Sequence, residues 1–597
     1  MMKRKFDPTD TIHTGRRRFV QGLTASGMLA SLGMLSPALL RAAPNPDVPV
    51  LEGPVFDLTI DEVAVNFTGR PRMATAINGS IPAPTLRMRE GDRITLRVTN
   101  NMSVSSSIHW HGLILPSNMD GVPGLSYAGI APGETYVYEF TAVQNGTFWY
   151  HSHTDFQEQT GMYGSIVIEP RDSDPVHYDR DHVIVLSDWS DERPERIYAK
   201  LKKMSDYYNR RERTLGDFTR EVHEKGFSRA VADRKMWNQM RMSDRDISDV
   251  TGWTYTFLAN GRTPAEGWEG LFKPGEKVRL RFINGSAMTF FDVRIPGLKM
   301  TVVAADGQNI RPVSGIDEFR IGVAETYDVI VEPQPGAYTI FAQAIDRSGY
   351  ARGTLTSQPG QKAAVPPMDP APVLTMTDMG MDHGDMMGHD MGKMDHGDMS
   401  HDMGKMGHGS MHMGDMADMM DMRKIVKHAR VPLELGPQVD MLAPMPKNRL
   451  SDPGVGLRNN GRRVLTYADI CNLEPTRDQR EPGREIELHL TGNMARYMWS
   501  INGVRFNDAK PILLHYGERV RITLINDTMM NHPIHLHGMW SELETGDPGY
   551  LPRKHTVIVQ PGAKISYQVT ADAKGQWAYH CHLLYHMKGM FRRVVVA

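Results

Sequence analysis

The chain has 597 residues, of which 40% are apolar and 23% charged, and its formal net charge at pH 7 is −2. That length is enough for several domains, the composition is that of a soluble globular protein, and the near-neutral charge argues against a broad basic surface for nucleic acid. Only two cysteines, Cys471 and Cys581, stand beside 41 methionines and 24 histidines, which excludes a disulfide framework and leaves Cys471 as an expected small buried hydrophobic residue.

The N-terminus has the features of an export signal. Residues 16–20 (RRRFV) resemble a twin-arginine motif, and a modestly apolar stretch follows over residues 20–40. A membrane anchor is the alternative, but the stretch contains Ser26 and Pro37 and few strongly apolar residues. We therefore expect residues 1–43 to be a signal peptide that exports the folded protein to the periplasm of a Gram-negative bacterium, with no membrane span in the mature chain.

One ten-residue pattern occurs three times along the chain. Each copy begins with glycine and a charged residue, contains alternating apolar and polar residues, and ends with asparagine. Alternation of this kind predicts a half-buried β-strand. The three copies span residues 91–100, 275–284 and 517–526.

Turn signals accompany these predicted strands. An Asn-Gly pair, which favours a tight turn, precedes every copy. The pairs lie at residues 78–79, 260–261 and 502–503. This internal repeat predicts an all-β chain of three Greek-key β-sandwich domains. We place the three domains at residues 48–172, 173–365 and 430–597.

The middle domain contains an insertion, at about residues 190–250, that is rich in charged and helix-forming residues. A helix in this insertion would place Met236 and Met240 on one face. Such a spacing is more typical of packing than of copper binding.

Residues 366–429 form a linker before the third domain, and residues 376–422 within it consist mostly of Met, His, Asp and Gly. This stretch holds 16 of the 41 methionines, and with so few aliphatic residues we expect it to be disordered without a ligand. Thioether suits Cu(I) and imidazole suits copper in either oxidation state, whereas a simple spacer has no need of oxidisable methionines. The candidate ligands for substrate copper are Met376, Met379, Met381, His383, Met386, Met387, His389, Met391, Met394, His396, Met399, His401, Met403, Met406, His408, Met411, His412 and Met413.

Histidines occur in H-x-H pairs at equivalent places in the first and third domains. Residues two apart on a strand share a face, so both imidazoles of a pair can point at one cluster. The matching positions of the middle domain hold Val293, Ile295, Phe341 and Gln343, which predicts no metal ligands there. The four pairs are His109 with His111, His151 with His153, His535 with His537, and His580 with His582.

Eight imidazoles in register with an internal repeat suit a cluster of three copper ions, whereas a zinc hydrolase would keep one ion with three ligands and an open position. Cys581 divides the last pair and points to the opposite face of its strand. Its thiolate, with His532, His586 and the thioether of Met590, predicts a separate mononuclear blue-copper site. Met587 is a poorer axial candidate, because a residue next to His586 on a strand points away from it.

These motifs resemble those of multicopper oxidases: HWHG at residues 109–112, HSH at 151–153, HPIHLHG at 532–538 and HCHLLYH at 580–586. Within that superfamily the chain is similar to the periplasmic copper-resistance protein A family over nearly the whole mature length. Further matching segments are MDGVPG at residues 119–124, FQEQ at 156–159 and AADGQ at 304–308.

The resemblance implies three cupredoxin-like domains and four copper ions. It assigns type 1 copper to His532, Cys581 and His586, with Met590 as the axial ligand. One departure concerns that methionine, which follows His586 by four residues where most relatives have five. The remaining assignments are His109 and His535 for type 2 copper, and His111, His151, His153, His537, His580 and His582 for the type 3 pair.

The resemblance also implies the reaction. A reducing substrate would give single electrons to type 1 copper, Cys581 would pass them to the cluster, and four of them would reduce dioxygen to water. Water formation needs protons at a buried site, so a carboxyl group is expected beside the cluster. Asp120 matches the acidic residue of relatives, although a turn before Gly121 explains it equally well. Cys581 and Asp120 are thus the catalytic candidates.

Cu(I) is the favoured substrate, because the linker supplies soft donors to the domain that contains the type 1 site. Two alternatives stay open: a laccase-like oxidase of phenols, and a copper-sequestering protein with secondary oxidase activity. The expected partners are dioxygen, Cu(I) and periplasmic copper carriers. A monomer is expected, since the first and third domains must meet to build the cluster.

Overall fold

The computed structural model describes residues 48–381 and 431–597. In these ranges the strands form six sheets, two in each of three successive stretches of chain. The prediction of an all-β chain of Greek-key, cupredoxin-like sandwiches is confirmed, while the domain boundaries stay a prediction. The proposed signal peptide and most of the Met/His-rich segment lie outside the described residues.

The first two sheets are built from β1 (Val50–Glu52), β2 (Val55–Val65), β3 (Arg72–Ile77), β4 (Ala83–Arg89), β5 (Arg93–Asn100), β6 (His109–His111), β7 (Thr135–Thr141), β8 (Gly146–His151) and β9 (Tyr163–Glu169). In one sheet the strand order is β1-β4-β9-β8-β6, and in the other it is β3-β2-β5-β7.

The next two sheets are built from β10 (Arg180–Ser190), β11 (Tyr255–Ala259), β12 (Trp268–Leu271), β13 (Val278–Asn284), β14 (Phe291–Arg294), β15 (Met300–Ala305), β16 (Gln308–Ile316), β17 (Glu318–Ile321), β18 (Thr326–Val331), β19 (Ala337–Ala344) and β20 (Tyr350–Thr356). Their strand orders are β11-β10-β13-β18-β15-β16 and β12-β20-β19-β14-β17.

The last two sheets are built from β21 (Arg484–Asn493), β22 (Met498–Ile501), β23 (Ile512–Leu514), β24 (Arg519–Asn526), β25 (His532–Leu536), β26 (Ser541–Leu543), β27 (Arg553–Lys554), β28 (Thr556–Val559), β29 (Lys564–Thr570), β30 (Gly575–Cys581) and β31 (Phe591–Val596). Their strand orders are β22-β21-β24-β29-β26-β27 and β23-β31-β30-β25-β28.

The repeated ten-residue pattern occupies the same place in all three pairs of sheets. It forms β5, β13 and β24, and each of these strands has one parallel and one antiparallel neighbour. The preceding Asn-Gly pairs form the predicted tight turns, with positive φ at both residues, for example 54° at Asn502 and 75° at Gly503.

The asparagine that ends each repeated strand is fully buried and fastens the loop after it. Nδ2 of Asn526 donates to the carbonyls of Met530 and Val559 at 2.7 and 2.9 Å. Asn100 and Asn284 make the same pair of bonds in their own sheets. The repeat therefore fixes the loops that precede the histidine-bearing segments.

Three helices form the insertion of the middle stretch: α1 (Pro194–Lys203), α2 (Leu215–Lys225) and α3 (Phe227–Met240). Thr214 and Asp217 form a capping box at the start of α2. Met240 is buried in the core and Met236 packs against it, so the packing interpretation of this pair is confirmed. Short 3₁₀ turns lie at Ser117–Met119, Tyr467–Asp469, Met494–Arg496, Phe506–Asp508 and Pro548–Tyr550.

Two sequence expectations need correction. Disorder is predicted for the Met-rich stretch from residue 376 onward, but Met379 and Met381 are 0% and 5% exposed and lie in the hydrophobic core. Its first residues form a turn whose Gly380 carbonyl accepts the N–H of Met445, because they pack against the start of the third stretch. Cys471 is half-buried rather than buried, with its Sγ 3.6 Å from the carbonyl of Tyr550.

The cores of the three stretches are joined. Trp540 of the third stretch packs into the core of the first, and Trp149 of the first belongs to the core shared by the second and third. Among the described residues, no helix has the length and apolar character that crossing a bilayer requires.

Candidate metal centres

Two antiparallel strand pairs bring the predicted histidines together. β6 pairs with β8 so that His109 lies opposite His151, and β25 pairs with β30 so that His535 lies opposite His580. The first pair of strands belongs to the first stretch of chain and the second to the third. The two sets also meet each other, because Nε2 of His582 lies 3.3 Å from Nε2 of His151. The histidines of the first and third stretches are therefore brought into one buried region.

Cys581, His532 and His586 form a compact triangle, and all three residues are fully buried. The Sγ of Cys581 lies 3.5 Å from Nδ1 of His532 and 3.9 Å from Nδ1 of His586, and the two nitrogens are 3.4 Å apart. A single ion at the centre, with bonds of about 2.0–2.3 Å to nitrogen and sulfur, requires edges of about 3.5–3.8 Å. The observed triangle fits one copper ion.

Met590 lies next to this triangle, although one argument for choosing it was wrong. Residues 583–590 form turns rather than a strand, so alternation does not exclude Met587. Burial separates the two, because Met590 is 0% exposed and Met587 is half-buried. The carbonyl of Met590 also accepts the N–H of Cys581 at 3.0 Å, which places Met590 beside the sulfur ligand.

Each histidine of the triangle is oriented by a side chain that the sequence did not identify. Nε2 of His586 donates to Oδ2 of Asp249 at 2.6 Å, and Nε2 of His532 donates to Oγ1 of Thr528 at 2.7 Å. The hydroxyl of Thr528 in turn donates to Oδ1 of Asn526, the asparagine of the repeat. With the proton fixed on Nε2, each imidazole presents the lone pair of Nδ1 to the triangle.

The six predicted type 3 histidines fall into two groups of three. In the first group, Nε2 of His151 lies 3.4 Å from Nδ1 of His111 and 3.3 Å from Nε2 of His582. In the second group, Nε2 of His580 lies 3.3 Å from Nε2 of His153 and 3.0 Å from Nε2 of His537.

The second group of three histidines fits a cation, and without a cation two of its nitrogen lone pairs repel each other. Nδ1 of His537 donates to Asp120 and Nδ1 of His580 to the carbonyl of Cys581, so both Nε2 atoms carry lone pairs. Those lone pairs face each other across 3.0 Å with no proton between them. A metal ion between the nitrogens would turn this repulsion into bonding.

His109 and His535, the predicted type 2 pair, also have Nε2 lone pairs without a hydrogen-bond partner. Nδ1 of His109 donates to the carbonyl of Asp120 at 2.7 Å, and Nδ1 of His535 donates to the carbonyl of His555 at 2.6 Å. The Nε2 atoms of both are buried and have no hydrogen-bond partner. Buried imidazole nitrogens without a hydrogen-bond partner are rare in proteins, and such nitrogens are suitable ligands for copper.

Burial sets the protonation of these donors. It is the largest cause that lowers the pKa of these imidazoles, to about 3 for His580. Burial also raises the pKa of the Cys581 thiol. The imidazoles are thus neutral and ready to coordinate, whereas metal must displace the proton of the thiol. The other histidines whose pKa is lowered are His111, His151, His153, His532, His535, His537, His582 and His586.

Asp120 lies in a turn and also contacts the histidine cluster. Its Oδ2 accepts from Nδ1 of His537 at 2.8 Å, and its Oδ1 lies 3.4 Å from Nδ1 of His109. The side chain is 2% exposed and Oδ1 has no hydrogen-bond partner. Asp120 therefore touches one predicted type 2 and one predicted type 3 histidine.

Glu158 is a second carboxyl group at the cluster, and sequence reasoning missed it. Its Oε2 lies 2.9 Å from Nδ1 of His151, and its Oε1 lies 4.0 Å from Nδ1 of His582. Burial, and then the nearby carboxylate of Asp188, raise the pKa of Glu158 well above its ordinary value. The available signal was its place five residues after His153, in a segment already noted for its resemblance to relatives.

Comparisons with known proteins agree with this geometry. Family models described as multicopper oxidase match residues 59–173, 180–360 and 479–597. The chain is 57% identical to copper resistance protein A of Escherichia coli, across 98% of this chain and 99% of that one. It is 59% identical to a copper resistance protein A homolog of Pseudomonas syringae pv. tomato, with the same two coverages.

Among solved structures, the laccase of Botrytis aclada superposes with a TM-score of 0.57 at 21% identity, covering 92% of this chain and 88% of that one. This likeness shows the fold. The matched family models and the near-full-length relatives show more: the chain belongs to the multicopper oxidases, copper-dependent oxidoreductases, and groups with their copper resistance protein A members.

Proposed function

We propose that the protein is a periplasmic copper-resistance oxidase that converts Cu(I) to Cu(II) and uses the electrons to reduce dioxygen to water. The observation that carries this proposal is the position of Cys581 between His580 and His582. The sulfur belongs to the three-donor triangle, while each neighbour belongs to one of the two three-histidine groups. One peptide link on either side joins the two centres covalently.

The donor sets support four resident copper ions. One would be held by His532, Cys581 and His586 with Met590 beside them, and one by His109 and His535. Two more would be held by the groups His111, His151, His582 and His153, His537, His580. When bound, copper supplies one-electron redox chemistry at the first site and multi-electron reduction of dioxygen at the others.

The chain itself keeps these sites rigid and dry. The Thr528 and Asp249 hydrogen bonds fix the rings of His532 and His586, and nearly complete burial excludes bulk water. Oδ2 of Asp120 accepts from Nδ1 of His537, and Oε2 of Glu158 lies 2.9 Å from Nδ1 of His151. Each carboxyl group has a second oxygen without a hydrogen-bond partner. Those free oxygens, Oδ1 and Oε1, are the atoms we assign to proton supply.

The surroundings of His586 favour a cation over a phenol as the reductant. The ring is 0% exposed, and its outer nitrogen is covered by the carboxylate of Asp249. A neutral phenol would meet a buried negative charge there, whereas Cu(I) is attracted to it. The names of the near-full-length relatives, which refer to copper resistance, also support a copper substrate.

Metal analysis with an optical spectrum of the exported protein tests the proposal. We expect about four tightly bound coppers, an intense blue absorption band, and oxygen uptake when Cu(I) is supplied in excess. A colourless, metal-replete protein that consumes no oxygen with Cu(I) or any phenol would refute it. Recovery of the protein from the periplasmic fraction tests its location.

Copper sequestration remains the second candidate, because residues 376–422 are so rich in methionine and histidine. Deleting residues 382–422 separates the two functions and leaves Met379 and Met381 in the core. If the deletion removes bound copper and cellular copper tolerance while Cys581→Ser leaves tolerance intact, storage is the main function. If Cys581→Ser abolishes copper tolerance, oxidation of Cu(I) is the main function.

A further inference from the structure

A cavity of about 560 Å³ lies between the helical insertion and the third stretch of chain. Its wall contains three carboxyl side chains and three thioethers: Asp206, Glu212, Asp246, Met204, Met242 and Met494. Met204 is 53% exposed and lies on the solvent side of the cavity, whereas Met242 and Met494 are 8% and 2% exposed. The cavity is thus wide, acidic and lined by soft sulfur.

Asp246 is the unusual member of this wall. It is only 4% exposed, and its Oδ1 has no hydrogen-bond partner. Burial, and then the charges of Asp249, Glu212 and Asp206, raise its pKa well above the ordinary value. A buried carboxyl group with an unpaired oxygen and three acidic neighbours lacks the cation that would compensate it.

Basic groups near the cavity do not supply that cation. Arg241 lines the wall, but its guanidinium lies 3.4 Å from Asp440. Arg245 is directed to Asp217 at 3.1 Å. Lys203 lines the rim and is exposed to solvent.

Two short segments connect the cavity to the mononuclear site. Asp246 lies three residues before Asp249, whose carboxylate accepts from His586. Met494 begins the 3₁₀ turn that Tyr497 follows, and the hydroxyl of Tyr497 donates to the same Asp249 oxygen at 3.0 Å. In each segment, a residue that lines the cavity is therefore three positions from a residue of the hydrogen-bond network at His586.

We propose that this cavity is the docking site of the Cu(I) substrate, with Asp246, Met242 and Met494 as its principal ligands. This inference rests on the proposed function. Thioethers favour Cu(I) and carboxylate oxygens favour Cu(II), so a mixed set binds the ion in both oxidation states and traps neither. Each Cu(I) gives one electron to the centre at His586 and leaves as Cu(II), and four such electrons with four protons convert one dioxygen to two waters.

The chain contacts the loops of this cavity on both sides of the Met/His-rich segment. Before it, the N–H of Leu374 donates to the carbonyl of Asp244 at 2.8 Å. After it, Oδ2 of Asp440 accepts the N–H of Met494 at 2.9 Å. Segments that precede and follow that run in the sequence therefore contact the two loops that form the site.

Silver(I), a redox-inert stand-in for Cu(I), tests the site directly. Crystals of the copper-loaded enzyme soaked in Ag(I) should show anomalous scattering between the Asp246 carboxylate and the sulfurs of Met242 and Met494. Asp246→Asn and the double variant Met242→Leu/Met494→Leu, which nearly conserves volume, should lose that peak. Silver bound elsewhere only, or equally bound in the variants, would overturn the proposal.

Kinetics with Cu(I) give an independent readout. Each cavity variant should raise KM for Cu(I) about tenfold or more, as loss of a metal contact does, with kcat within about twofold of wild type. The blue absorption band shows that the mononuclear centre is intact, and Glu224→Gln, an exposed carboxyl elsewhere on the insertion, is the control with unchanged KM. An unchanged KM in the cavity variants would refute the site.

Failure of the site and failure of the function are distinguishable. If the wild-type enzyme oxidises no Cu(I), the proposed function is wrong, and the silver experiment still decides whether the cavity binds a soft cation. If the wild type oxidises Cu(I) and the cavity variants match it, only the docking site is wrong.

Discussion

Replacing Asp249 by asparagine should raise the reduction potential of the mononuclear copper. Asp249 is fully buried, and its Oδ2 accepts the proton on Nε2 of His586 at 2.6 Å. Asparagine can still accept this hydrogen bond through its side-chain oxygen, so the ring keeps its orientation. The substitution therefore removes one negative charge and little else.

The size of the effect follows from the distance between that charge and the copper. The hydrogen bond, the width of the imidazole and a copper–nitrogen bond together place the carboxylate about 7 Å from the ion. At an effective dielectric constant of about 20, a unit charge at that distance is worth about 2 kcal/mol. For a one-electron couple this corresponds to about 100 mV, and the sign is positive because the carboxylate stabilises the oxidised ion more than the reduced one.

A redox titration followed at the blue absorption band measures this shift. The matched control is Asp249→Glu, which keeps the charge and should change the potential much less. Tyr497→Phe removes the hydroxyl that donates to the same carboxylate and should lower the potential slightly, because the carboxylate becomes a stronger acceptor for His586. A fall in potential in Asp249→Asn, or a rise equal to that in Asp249→Glu, would show that charge at this position does not tune the site.

Three further predictions concern stability and proton supply. Asn526→Ala removes four buried side-chain hydrogen bonds and should lower the free energy of unfolding by about 2–4 kcal/mol in chemical denaturation, whereas Asn101→Ala, at an exposed position, should have little effect. Glu158→Gln should slow reoxidation of the fully reduced enzyme by dioxygen about 100-fold in stopped flow while leaving its reduction by Cu(I) unchanged, and equal slowing of both steps would contradict a role in proton supply. Burial raises the pKa of Asp440 to about 6 from 3.8, so its stabilising contribution is complete below pH 3.8 and is lost as the pH rises through 6. The unfolding free energy of wild type relative to Asp440→Asn should therefore fall by about 2 kcal/mol between pH 4 and pH 7, and a constant difference would show that Asp440 does not titrate in this range.

Local patterns in the sequence were sufficient to predict the strands and the side chains that the structure gathers at the candidate metal centres. Strand alternation and the Asn-Gly turns depend on neighbouring residues, and both are found where the pattern predicts them, as at Asn502 and Gly503. The first histidine of each H-x-H pair lies on a strand, and the register of β25 with β30 sets His535 opposite His580. Strand alternation does not predict the backbone conformation beyond the end of a strand. The argument about Met587 was wrong for that reason.

Contacts between distant segments could not be predicted in the same way. Asp249 precedes His586 by 337 positions, and Lys202 donates to the carbonyl of Tyr497 across 295 positions. No periodicity links such residues, and an isolated aspartate on a loop has no signature before the fold brings it to an imidazole. Thr528 is the exception, since it follows the repeated Asn526 by two residues and is held by that asparagine.

The middle stretch of the chain has a function even though it contributes none of the paired histidines. At its matching positions, Val293 and Phe341 are fully buried, so the space of a metal site is filled by packing. Its insertion instead supplies Asp249 to His586, together with most of the acidic wall of the cavity. If the cavity is the docking site, the substrate specificity of this enzyme is set by the stretch of chain that contributes none of the paired histidines. Variants of the insertion should then alter the choice of reductant before they alter the reduction of dioxygen.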